Sequence, residues 1–125
     1  KDKKRISALF HAVANGHDRI VDALLNITRQ PDDVESEKGF TPLLIAATNG
    51  HTVIVRLLLE CGTNPNTRNF DGVTALHNPV FEKQTDIVKL LLEYGENPAI
   101  QDHLGNTPVD LAQRSANPQL MQLLL

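Results

Sequence analysis

A chain of 125 residues, 41% hydrophobic and 22% charged, has the material for one soluble globular domain. Its net charge of −3 supplies no positive field for nucleic acid or an anionic membrane, and no stretch is apolar over the length a bilayer requires. A lone cysteine, Cys61, excludes an intrachain disulfide and points to a reducing compartment, cytoplasmic or nuclear. The N-terminus has no signal-peptide core, and a start at Lys1 rather than Met reads as a segment cut from a longer protein. The basic opening, KDKKR, is short and reads as a solvated terminal turn. With four Phe, one Tyr and no Trp, the apolar content is nearly all aliphatic, which suits small repetitive packing and makes each aromatic informative.

The predicted elements repeat along the chain. SALFHAVANGHDRIVDALL, from Ser7, gives a first helix pair, after which NITRQPDDVESEKGF departs from the pattern by lacking a closing glycine and carrying one extra residue. TPLLIAATNGHTVIVRLLLECGTNPN follows from Thr41, TALHNPVFEKQTDIVKLLLEYGENPA from Thr74 and TPVDLAQRSANPQLMQLLL from Thr107, at spacings of 34, 33 and 33. Thr41-Pro42 and Thr107-Pro108 each place a capping hydroxyl before a proline at the first helical position, where the missing N–H costs nothing. Leu43, Ala46 and Ala47 give the first helix a small-residue face, and Ile54, Val55, Leu57 and Leu58 give the second a wide apolar stripe. Gly62 stands where a left-handed C-cap is wanted, and Gly39, Gly72 and Gly105 fall in the polar turns between repeats. From this register Ala46, Leu57, Leu58, Leu76, Leu90 and Leu91 are expected to be buried between repeats.

The third copy is irregular. Pro79 stands where the second has Ala46, and Lys83-Gln84 replace Gly50-His51. Two paths are open: a helix from Thr74 kinked at Pro79, at a cost of up to about 3 kcal/mol, or a restart with Asn78 as cap and Pro79 at the first position. Both displace Phe81 from the regular path. The expectation is a shortened or kinked helix with Phe81 accessible.

The T-P-L-H-x-A-like openings, the Gly-His pairs at Gly16-His17 and Gly50-His51, and the 33-residue period together resemble the ankyrin repeat family over essentially the whole chain. The resemblance implies an all-α helical solenoid of four helix-turn-helix repeats, at about 2–34, 35–68, 69–101 and 102–125, with short β-hairpin-like turns between them. It implies structural hydrogen bonds for His17, His51 and His77. It also implies a non-catalytic module that binds a partner protein or peptide through its concave face. Carried over by register, that face takes in Phe40, Phe70 and Phe81 as apolar anchors, with Lys38, Arg68, Asp71, Glu82 and Arg114 as orienting charges. The competing reading of Phe40 and Phe70 is turn-against-turn packing.

Catalysis is not expected. His11 and His103 are far apart in the array with no zinc-spaced partners, Cys61 reads as a surface thiol, PDDVESE as a solvated acidic loop, and no phosphate-cradling glycine loop is present. No cofactor, metal, nucleic acid or membrane insertion is expected, and the segment is expected to be monomeric. The alternative function is a regulatory or ligand-sensing region attached to an enzyme or channel, with a small phosphorylated ligand as one form of it.

Overall fold

The computed structural model of the chain describes residues 3–26, 39–77, 85–115 and 122–123. Within these lie six α-helices: α1 (Lys3–Ala14), α2 (Asp18–Leu25), α3 (Pro42–Thr48), α4 (Thr52–Glu60), α5 (Thr85–Glu93) and α6 (Pro108–Ser115). α1 packs on α2 and α3 on α4 as pairs; across pairs α3 packs on α1, α4 on α2, and α5 on α4. First helices therefore form one layer and second helices another, the arrangement of a helical solenoid. Among the described residues there is no strand, only an isolated antiparallel bridge between Arg68 and Thr74, the root of one hairpin-like finger.

The helix ends explain how such short elements persist. At the end of α3, Gly50 N–H bonds Ala47 O at 3.3 Å and His51 N–H bonds Ala46 O at 3.0 Å; at the end of α4, Gly62 N–H bonds Leu59 O and Thr63 N–H bonds Leu58 O. α1 closes the same way through Gly16 and His17, and α5 through Gly95 and Glu96. This is the Schellman closure, which satisfies the last carbonyls and needs a left-handed residue at the glycine, here φ +99° at Gly62 and +94° at Gly95. The residue after the glycine turns back toward the helix it ends. That position is held by His17, His51, Thr63 and Glu96 in turn.

The core runs through both layers. Ala46, Leu58, Leu76 and Leu91 are fully buried, as the register predicts. Leu57 and Leu90 are only half-buried at its margin. Each stands one residue, or about 100° of helix, from its buried neighbour, so it faces the flank of the stack rather than the seam. α2 has no described helix on its outer side. Ile20 is accordingly 50% exposed, where its register mates Ile54 and Ile87 are 0% and 1% exposed. The predicted Pro79 irregularity lies outside the described residues.

Candidate protein-binding face

Two fingers are described in full, and they are built alike. In the first, Asn69 Oδ1 accepts from Asp71 N (2.9 Å) and Val73 N (3.0 Å), while Asn69 N donates to Val73 O (3.0 Å). In the second, Asp102 Oδ1 accepts from Leu104 N (3.0 Å) and Asn106 N (2.9 Å), and Asp102 N donates to Asn106 O (2.9 Å). A short polar side chain thus organises each tip from within. The fingers are tied to each other by His103 N–H on Asp71 O at 2.8 Å. At their bases, Asn66 Nδ2 donates to Gly95 O and its Oδ1 accepts from Asn97 N at 2.7 Å. These ties hold the tips as one rigid platform.

The predicted anchors are placed on it unequally. Phe70 is 62% exposed at a finger tip, with its ring laid over the preceding finger: a Cβ at Gly39 would sit 2.7 Å from Phe70 Cδ1. Phe40 is half-buried and packs against the core. Phe70 thus packs one face on a neighbouring turn while leaving most of its surface in solvent. Arg68 is exposed, but its guanidinium is engaged: Nε donates to Gly72 O at 3.2 Å and Nη2 to Gln101 O at 2.7 Å, which joins its own finger to the segment leading into the next. Asp71 is exposed beside Phe70, and Arg114 is exposed in the last turn of α6, at the far end of that helix from the finger. Phe81, Lys38 and Glu82 lie outside the described residues. Leu104, 87% exposed on the second tip, is an apolar group that the anchor set omitted.

Behind the fingers, the three described Thr-led openings use one threonine in three ways. Thr41 caps α3 in the ordinary manner, its Oγ1 accepting from Leu44 N at 3.3 Å. Thr107 and Asp110 cap reciprocally, Asp110 N to Thr107 Oγ1 at 3.1 Å and Thr107 N to Asp110 Oδ2 at 3.0 Å. Thr74 instead enters a buried cluster. Its N–H donates to His77 Nδ1 at 2.9 Å, its Oγ1 lies 2.9 Å from the same nitrogen and 2.7 Å from Glu96 Oε2, and Glu96 Oε2 also accepts from Leu76 N at 3.1 Å. An amide can only donate, so Nδ1 accepts and the proton of the ring sits on Nε2, which donates to Asn106 O at 3.0 Å. His77 thereby links the third repeat to the finger of the fourth, and His51 Nε2 stands 3.3 Å from Ala14 O of the first repeat. His17 is exposed, on the side where no described repeat adjoins it.

Glu96 escaped sequence reasoning. Its Oε1 is buried without a hydrogen-bond partner among the described residues, and burial, offset in part by the bonds from Thr74 and Leu76, pushes its carboxyl from 4.5 up to about 8. The one signal available was its alignment with Thr63, the residue after the closing glycine, where GENPA replaces GTNPN. Elsewhere a cleft of about 410 Å³ between α5 and the C-terminal residues is lined by Thr85, Asp86, Lys89, Gln122 and Leu123. The thiol of Cys61 is exposed. No described helix is long and apolar enough to cross a membrane.

Comparison with known proteins bears on this architecture directly. A family model for ankyrin repeats in three copies matches residues 1–69, and one for ankyrin repeats in many copies matches residues 58–112. An ankyrin repeat-containing protein of Treponema pallidum (strain Nichols) is 32% identical over 99% of this chain and 42% of its own length. The potassium channel AKT2/3 of Arabidopsis thaliana is 32% identical over 95% of this chain and 14% of its own, and the nuclear factor NF-kappa-B p105 subunit of Rattus norvegicus is 32% identical over 98% and 13%. The chain spans less than half the length of each of these relatives.

Proposed function

The chain belongs to the ankyrin repeat family, and we propose that it is a non-catalytic module that binds a partner protein or peptide across its finger tips and first-helix face. The observation that carries this is Phe70. A phenyl ring held against Gly39 loses little further freedom on binding, yet most of its surface is free to enter a partner's pocket. Leu104 extends the apolar ridge to the next finger, and Asp71 supplies a charge beside it that fixes register. Phe40, Arg68 and Arg114, with Phe81, Lys38 and Glu82 assigned by sequence register alone, make up the rest of the proposed face, Arg68 with the N–H donors left over from Gly72 and Gln101.

The test is capture of partners by the chain, followed by titration of a purified partner against wild type and against Phe40→Ala, Phe70→Ala and Phe81→Ala. Phe70→Ala is expected to cost at least about 2 kcal/mol, or some thirtyfold in Kd. Unchanged Kd in all three variants would remove the face from consideration. The second reading, a ligand-sensing region attached to an enzyme or channel, draws support from the potassium channel among the relatives. For a small phosphorylated ligand the described cleft is poorly suited, because Asp86 stands beside Lys89 there and offsets its charge. Binding that collapses steeply with salt would favour that reading over a protein partner.

A further inference from the structure

Thr74, His77 and Glu96 are all buried, and they leave their shared protons little choice. Thr74 Oγ1 has one proton and two close neighbours, His77 Nδ1 at 2.9 Å and Glu96 Oε2 at 2.7 Å. Nδ1 already accepts from Thr74 N–H and carries no proton to give. With Glu96 ionised, two acceptors would face one hydroxyl proton, and one short contact would set lone pair against lone pair. With Glu96 protonated, Oε2–H donates to Oγ1, and Oγ1–H points to Nδ1, whose lone pair it shares with Thr74 N–H, so neither short contact sets lone pair against lone pair.

We propose that Glu96 is a proton-operated latch: its carboxyl proton completes a chain of hydrogen bonds through Thr74 and His77 to Asn106 O, and loss of that proton loosens the fourth repeat's finger from the third repeat. The chain joins Glu96, set just after α5, to a carbonyl in the finger before α6, so it crosses a seam between repeats. The helix closure fixes the Glu96 backbone, its N–H on Leu91 O at 3.0 Å, and the side chain is buried.

No described cation stabilises the ionised form. Among the described residues the titratable group in the cluster with Glu96 is His77, which accepts at Nδ1 and donates at Nε2; Asp102 of the adjoining finger has its Oδ1 turned into that finger, and Glu93 and Tyr94 at the end of α5 are exposed. The ionised carboxylate would keep the bonds from Leu76 N and Thr74 while Oε1, which has no partner, faced the protein interior. Burial raises the carboxyl to about 8 against the bonds from Thr74 and Leu76, which puts the change just above neutrality.

The experiment is an NMR titration of the full chain between pH 6 and 9.5, with amide exchange followed in parallel and corrected for its intrinsic pH dependence. The side-chain carboxyl carbon of Glu96 is expected to titrate near pH 8, with the Leu76 amide and the His77 ring following the same curve. Protection of the His103 amide, which bonds Asp71 O across the seam, is expected to fall at least tenfold between pH 7 and 9. Glu96→Gln retains a donor for Thr74 Oγ1 with no proton to lose, and its His103 protection is expected to stay level. A Glu96 midpoint below pH 6, or wild-type His103 protection that does not change, overturns the proposal whether or not the variant folds.

Discussion

Repeats two and three occupy the same register and close their second helices with the same backbone bonds, yet their interiors are chemically different. In the second, Thr41 caps α3, Pro42 removes one orphan N–H, Leu44 stands at the fourth place, and Thr63 follows the closing glycine. In the third, Ala75 replaces the proline, His77 the leucine and Glu96 the threonine, and the cluster they make satisfies Thr74 N–H, Leu76 N–H and Asn106 O at once. The backbone path decides which positions are inward. What stands at those positions decides whether the seam is apolar and indifferent to pH or polar and sensitive to it.

The largest effect should come from copying one repeat into the other at the glutamate. A carboxyl whose folded value, about 8, lies above its ordinary 4.5 stabilises the fold fully below pH 4.5, and this contribution is lost as pH rises through 8. Unfolding free energy should therefore fall with rising pH across that window by up to about 1.4 kcal/mol per unit from this group. Denaturant titrations from pH 5 to 9 should show the decline in wild type and its loss in Glu96→Thr, and the reciprocal Thr63→Glu should create a decline in repeat two. A wild-type profile as flat as that of Glu96→Thr would erase the distinction between the repeats.

A second substitution of the same kind is His77→Leu, which copies Leu44. It leaves Thr74 N–H without a partner and Asn106 O with only the bond from Asp102 N–H, and should cost about 1–3 kcal/mol in the same titrations. Exchange should quicken at Asn106 and His103 rather than in α3. Thr41→Ala in repeat two removes a cap alone and should cost about 1 kcal/mol, localised to α3.

The smallest contrast separates close approach from backbone conformation. Gly39 and Gly105 have nearly equal φ, +83° and +85°, but a Cβ at Gly39 meets the Phe70 ring at 2.7 Å while one at Gly105 meets nothing within 4 Å. Both substitutions to Ala should cost about 1 kcal/mol for the left-handed backbone, and Gly39→Ala should cost more by the energy of moving Phe70. Equal melting temperatures for the two variants would show that the ring is not held there.

Most of the fold was legible because period, caps and closing glycines are local signals: Thr41, Thr107, Gly62 and Gly95 each act through bonds to residues a few places away. The candidate face was legible only by register. Phe70 could be placed at a tip, but its ring over Gly39 joins residues 31 positions apart and follows from how fingers lean, which no local pattern encodes. Arg68 read as an orienting charge for a partner, and nothing nearby in the chain announces that Gln101 O will receive it. Glu96 was hidden by composition. In GENPA a glutamate reads as part of a solvated turn, whereas the helix closure directs that side chain into the interior.

The overlap of the fingers has a directional consequence. Phe70 lies on Gly39 and His103 on Gly72, each later finger covering part of the one before it, as shingles do on a roof. Such a ridge has a grain. A bound segment travelling from the first repeats toward the last climbs onto each ring from the glycine side, and one travelling the opposite way descends off it, so the two senses of an otherwise identical peptide meet different surfaces. If the proposed face is where a partner binds, the ridge would distinguish the direction of a chain laid along it before any side chain of that partner is read.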